Sequence, residues 1–472
     1  MFLNLFLFDH FLFFVIVLEK PLTSDMITYN LLFQWRTFGR THICANIGLF
    51  FFFFFFFFFV TSFNYFKTKN DYVEDNVNNQ TKIIKGISMN LEQTAGAGDY
   101  KTVTQSSWPT EGYKFNSELS RCENGSTLSW DDTKKAVIMQ GNVSDKCYVY
   151  FDIWIPSIAA YCTSGTDLAT CVKNFGDQGP SVSNIYIHNS TLTNGAGDNS
   201  YRYAGANPNN FICFGSDATT CPDDNLYRII GVIDGKVKLI KYDYANSNLL
   251  GTDGDYEGSG YISEYKGKLT NINLYYWNYK NNTTINNGNG SNTWSTSLLN
   301  KTNLNTNFIN NIGVTWANKI ATTTWKVGGN TQANIEFATP STVYKNEIIN
   351  PVTTYTTDNA TTYDAKIGLM YVSDYMYGAT PDKWTLIGGD TDSTKNYKAA
   401  TSVNWMYMGG TLDWTISRNS NYFTGVNVVY FDGIVTSNRA SNGYVVRPSF
   451  NLESSVKYVS GSGSMSDPVR IK

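Results

Sequence analysis

Six cysteines set in three sequence-local pairs constrain this chain more than any other feature. Cys122 and Cys147, Cys162 and Cys171, and Cys213 and Cys221 each bracket a segment rich in Gly, Asn, Ser, Thr and Asp, while Cys44 lies apart near the N-terminus. Many connectivities are open to six cysteines, so nearest-neighbour pairing is an expectation about where staples would hold mobile backbone. A zinc site would want Cys-x-x-Cys-like spacing, often with histidine. Neither occurs, and the only histidine beyond residue 69 is His188. Disulfides are the favoured reading, and they place the chain in an oxidising compartment. Closing a loop as long as that between Cys122 and Cys147 is worth about 3 kcal/mol.

Two apolar stretches open the chain. Residues 2–18 are broken by Asp9 and His10, whereas residues 47–63 carry no charge and include ten consecutive phenylalanines. The second has the minimum length of a spanning helix. A hydrophobic N-terminal helix that anchors the protein in a membrane is therefore expected within residues 1–69. The rival reading is a translated homopolymer tract upstream of the true start, with Met89 as an internal start. Arg36 and Arg40 before the apolar run nearly balance Lys67 and Lys69 after it, so flanking charge gives no orientation. The cysteines put the long C-terminal portion outside. Residues 1–69 are set aside from fold reasoning.

The remainder is polar, aromatic and short of charge: charged residues make up 16% and aromatics 15%, with a net charge of −3. Such a mixture suits short strands joined by turns. A mildly acidic chain lacks the electrostatic footprint of a nucleic-acid binder, and that class is excluded. Residues 70–91 read as a polar stalk and residues 92–152 as a small β module. Its three strands are expected at 127–130, 135–139 and 147–151, with Asp131-Asp132 as a turn and Cys122 and Cys147 pinning the ends. Residues 153–210 read as a connector with one or two short helices and a strand-like stretch at 185–187.

A main domain is expected over residues 211–472. Asp234-Gly235 between two apolar runs is a strong hairpin signal. In the second arm Val237 and Leu239 alternate with Lys236 and Lys238, predicting one dry face and one wet. Asp432-Gly433 marks a second hairpin. Trp294, Leu298, Leu299, Leu304 and Phe308 fit helical turns covering a sheet, and residues 243–292 read as loop.

Several segments of this domain carry a family resemblance. They are residues 226–240, Trp294-Ser295-Thr296-Ser297-Leu298, Ile367-Gly368-Leu369-Met370-Tyr371-Val372-Ser373, residues 405–414 with Gly409 and Gly410, and Val446-Arg447-Pro448-Ser449-Phe450-Asn451-Leu452. As an ordered set they resemble a bacterial family of unknown function related to C-type-lectin-like and formylglycine-generating-enzyme-like domains. The resemblance implies a mixed α+β domain in a mostly β chain: a small twisted sheet, one or two short helices and long loops for recognition. Fold alone does not give function.

Candidate sites are few. Calcium is the usual lectin cofactor, yet the Glu-Pro-Asn, Gln-Pro-Asp and Trp-Asn-Asp signatures of calcium-dependent sugar binding are missing. Asp253, Asp255, Glu257 and Glu264 imitate the spacing of an EF-hand loop, without helical flanks and with Gly260 at the usual apolar position; a solvated acidic loop is the simpler account. Trp405, Tyr407, Trp414 and Tyr422 surround the Gly409-Gly410 turn and offer an aromatic surface for a glycan or peptide, unless they are core. Arg447 reads equally as a buried ion-pair partner or a ligand contact. No nucleophile–base pair is evident, and no cysteine follows Cys221, so formylglycine-generating activity is not carried over. The resulting expectation is a non-enzymatic extracellular or cell-surface binding or adhesion protein, secreted or membrane-anchored. A structural envelope component, pilus-like or stalk-like, and an enzyme acting on envelope polysaccharide stand as alternatives.

Overall fold

The computed structural model describes residues 3–8, 11–16 and 86–472, apart from residues 95, 105, 106, 110, 111, 143, 155, 263–269, 352–360 and 390. The described chain is mostly β, built from several small sheets with short helices between them. It divides into two compact units, Met1–Ile153 and Trp154–Lys472. The uncharged run at 47–63, Cys44 and most of the expected stalk lie outside the described residues. The first apolar stretch contributes two antiparallel strands, Leu3–Phe8 and Phe11–Ile16, rather than a helix. Among the described residues no helix is long and apolar enough to cross a membrane.

The β module of the first unit begins earlier than residue 92. Ile87–Glu92, assigned by its polarity to the stalk, is a central strand, parallel to Cys147–Ile153 and antiparallel to Tyr100–Val103. Met89 and Leu91 point into a core with Val137, Val149 and Phe151, while Asn90 and Glu92 are buried too, Asn90 donating to the Val149 carbonyl and Glu92 accepting from the Ile153 N–H. Thr127–Asp131 and Ala136–Gln140 form the expected hairpin, its turn held by Asp131, whose carboxylate accepts from the Thr133 and Lys134 backbone N–H groups. Cys122 is bonded to Cys147, joining adjacent strands of a sheet whose core is too small to be secure alone. Cys162–Cys171 and Cys213–Cys221 are likewise bonded, so all three nearest-neighbour pairs form.

The second unit is organised by a seven-stranded sheet. Its path runs Ile185–Ile187, Tyr201–Tyr203, Leu226–Ile233, Lys236–Lys241, Ser449–Asn451 and Ile367–Gly368, with Phe211–Cys213 also on Leu226–Ile233. The Asp234-Gly235 hairpin closes with Ile233 opposite Lys236, both turn residues having positive φ, as a type I′ turn requires. Gly231 sits where the ladder shifts register, and a Cβ there would lie 2.0 Å from the Tyr201 carbonyl oxygen. Residues 154–210 are no separate connector: two of their segments are strands of this sheet. The helix Leu168–Gly176 buries Leu168, Cys171, Val172 and Phe175, one face at helical spacing, in the same core.

Two further differences have clear causes. Residues 243–292 are not all loop, because Tyr256–Ile262 and Thr270–Tyr276 pair antiparallel; their Tyr, Ile and Thr content favours strand despite the surrounding Asn and Gly. Lys238 is not on a wet face. It is 3% exposed, and its Nζ lies 2.5 Å from Asp374 Oδ2. Asp374 belongs to the wholly buried helix Val372–Tyr377, which covers the side of the sheet that alternation assigns to solvent. Arg202 binds the other Asp374 oxygen at 3.0 Å and reaches Asp198 at 2.9 Å. Burial works against the Asp374 carboxylate, yet Lys238 and Arg202 hold its pKa below the usual value.

Glu347 is buried beside this network. It accepts from the Val372 and Ser373 backbone N–H groups and from the Ser417 hydroxyl. Burial nevertheless pushes its carboxyl up to about 7. A carboxyl raised on folding stabilises most below its unfolded pKa and loses that contribution as pH climbs through the folded value. Denaturant unfolding is therefore expected to show about 3 kcal/mol of Glu347-dependent stability lost between pH 4.5 and 7.5. The Glu347→Gln protein should be flatter over that range; parallel profiles for the two proteins would contradict the assignment.

Candidate functional site

The hairpin and the disulfide-bonded loop together make a polar pocket. Leu226–Ile233 begins, and Lys236–Lys241 ends, at the same end of these central strands, with Tyr227 opposite Lys241. Just before the first of these, the chain runs from Phe211–Cys213 through a loop closed by Cys213–Cys221 and into the turn Asp223–Asn225. The staple fixes the ends of a Gly- and Ser-containing segment that has little core of its own. Asn225 ties the loop further, donating from Nδ2 to the Phe214 carbonyl at 3.1 Å.

Between this loop and the helical turns Ser247–Leu250 and Ile309–Asn311 lies a cavity of about 140 Å³, lined among others by Asp224, Asn225, Lys241, Asn246, Asn248 and Asn311. Leu249 and Ile312 add an apolar flank. Each polar group has a reason to be there. Asn246 caps its turn by accepting from the Leu249 N–H, and its Nδ2 is 3.3 Å from both Asp224 carboxylate oxygens. Asn311 donates to the Asn248 and Leu249 carbonyls, each at 3.0 Å. Lys241 is buried to 1% exposure and donates to the Asp224 carbonyl at 3.1 Å.

Those bonds orient the amides without using all of their capacity. An asparagine offers two donors and an acceptor with two lone pairs, and the Asn311 and Asn225 bonds engage only Nδ2. Asp224 is exposed at the rim. The pocket thus offers one carboxylate, several amides and an ammonium stem beside a small apolar wall. It is well below the ~300 Å³ at which drug-sized sites begin, so it admits a single small polar unit.

Of the residues expected to form an aromatic surface, most are turned into the core rather than to solvent. Trp405 is 4% exposed and donates from Nε1 to the Tyr203 carbonyl, with the Arg228 guanidinium 4.7 Å from its ring centroid. Trp414 is fully buried and donates to the Tyr275 carbonyl. Tyr407 is half-buried and donates to the Phe431 carbonyl. Tyr422 alone is exposed. Both tryptophans are core, because the sheet needs large side chains there and each buried N–H finds a carbonyl. Arg447 is buried as well, bound to Asp413 at 2.5 Å and to the Met406 carbonyl at 2.9 Å.

The acidic run does not assemble a cation site among the described residues. Asp255 points inward, and its two oxygens accept from the backbone N–H groups of Tyr279, Lys280, Leu298 and Leu299. Burial raises its pKa despite those four bonds. Asp253 instead binds Asn307 at the surface, Glu257 lies on an exposed strand position, and Glu264 falls outside the described residues. No group of three or more His, Cys, Asp or Glu side chains among the described residues is placed to hold a metal. His188 is buried with Nδ1 accepting from the Ala196 N–H, and burial then Arg202 push its pKa down to about 3.

The pocket residues were not singled out by the sequence. Asp224, Asn246 and Asn311 are each common turn or cap formers, and only the fold unites them. The nearest signal was the Cys213–Cys221 staple placed immediately before the hairpin. No protein-family profile, curated protein or solved structure matches this chain.

Asp255 organises the loop as an acceptor. Asp255→Asn is expected to cost about 2–3 kcal/mol in denaturant unfolding, since an amide nitrogen then faces backbone donors. Added calcium should leave the thermal midpoint of the unaltered protein unchanged, and a calcium-dependent rise would restore the EF-hand-like reading.

Proposed function

We propose that this protein is a non-enzymatic extracytoplasmic binding protein whose pocket at Asp224, Asn246 and Asn311 receives one unit of a glycan. The observation carrying the reading is a small cavity lined by a carboxylate and several carboxamides on a disulfide-held loop. Sugar hydroxyls both donate and accept, so they can donate to the Asp224 carboxylate and exchange bonds with the carboxamides, while the C–H face of a sugar ring suits Leu249 and Ile312. The cavity size favours a terminal or single residue over a long oligosaccharide groove. The resemblance to lectin-like domains agrees with this reading, with recognition moved from the expected aromatic cluster to the polar pocket. The three disulfides fit an oxidising compartment, and a cell-surface or secreted location follows as part of the proposal.

Binding of the purified protein to a glycan array tests it. Positive spots are expected to be lost, by tenfold or more in affinity, in Asp224→Ala and Asn246→Ala proteins that keep their far-UV spectra; loss of two or so good hydrogen bonds is on that order. Retained binding in both variants would remove the pocket from the proposal. Replacing Cys213 and Cys221 together by Ser should weaken binding more than it lowers the thermal midpoint, because the staple constrains the rim more than the core.

A further inference from the structure

Lys238 and Asp374 meet as an ion pair with almost no access to solvent. Nζ and Oδ2 are 2.5 Å apart, the lysine side chain is 4% exposed and the aspartate 2%. The ammonium also lies 4.4 Å from the Tyr371 ring centroid and 5.4 Å from that of Trp325. Two charges in so dry a setting are costly to maintain, even when paired. Condensing them to a neutral amide removes both at once. The rest of the network tolerates that change, since Arg202 keeps Asp198 as its carboxylate partner at 2.9 Å.

We propose that Lys238 and Asp374 join in an intramolecular isopeptide bond. The lysine ammonium passes a proton to Asp374 Oδ2 within the pair, leaving a neutral amine and a carboxylic acid. The Nζ lone pair then attacks Cγ, forming the C–N bond. Negative charge gathers on Oδ1, where the Arg202 guanidinium sits at 3.0 Å and can stabilise it as a prepositioned donor does. Nζ gives up a further proton, Oδ2 receives one, and the Cγ–Oδ2 bond breaks to release water. No oxidant or other co-reactant is needed.

The bond would tie the second arm of the central hairpin to the buried helix 136 positions further along the chain. The intact mass of the purified full chain decides the matter. It should fall below the sequence mass by one water in addition to the hydrogens lost to three disulfides. Fragmentation of a proteolytic digest should find the Lys238 and Asp374 peptides joined. A mass without the water deficit, or a deficit assigned to any other residues, overturns the proposal. The Lys238→Arg protein should carry the full mass, and a deficit persisting there also overturns it. Should that variant fail to fold, the fragment spectrum of the unaltered protein still decides.

Discussion

Lys238 can lie inside the main unit only because Asp374 meets it there. An ammonium without a partner in that setting would cost several kcal/mol, and the strand carrying it would have to turn that face to water. Asp374 in turn is held by Arg202 and by the Tyr371 backbone N–H. The helix Val372–Tyr377 is thereby fastened over the sheet by polar groups at its start and by Val372, Tyr375 and Met376 along its length. Apolar burial supplies most of the driving force in such a core, but the charges fix which face of the sheet the helix covers.

That arrangement separates what was legible in the sequence from what was not. The Asp234-Gly235 turn, the short helix Leu168–Gly176 and the three disulfides rest on local chemistry, and a reading of neighbouring residues finds them. The buried face of Lys236–Lys241 does not, because the partner that neutralises Lys238 comes from far along the chain. Alternation of lysine with valine and leucine is ordinarily a surface signal, and only a distant aspartate reverses it. The start of the first module was missed for a related reason. Ile87–Glu92 mixes polar with apolar residues, and its alternation gains meaning only beside Cys147–Ile153.

The candidate site was less legible than the fold. Trp405 and Trp414 stand out in a sequence because tryptophan is costly to place, but cost attaches to cores as readily as to binding faces. Asn and Asp attract no notice in a chain so rich in turns. Asp255 illustrates the ambiguity: spacing suggested a cation ligand, and the fold uses the same carboxylate as a cap for two turns at once. The polar pocket depends on Asp224, Asn246 and Asn311 arriving at one end of the central strands from three separate turns of the chain, which no spacing rule encodes.

The order of strands in the main sheet also has a meaning in time. Lys236–Lys241 lies between Leu226–Ile233, its immediate predecessor, and Ser449–Asn451, with Leu239 opposite Phe450. A chain emerging N-terminus first can close the hairpin and the nearby sulfur staples at once, yet the hairpin's outer edge stays unpaired until the last few dozen residues appear. Long-range pairing of this kind is slow and leaves an adhesive strand exposed meanwhile. Strand order thus makes the closing step of this sheet a pairing between segments some two hundred residues apart, with the local hairpin and staples as its template.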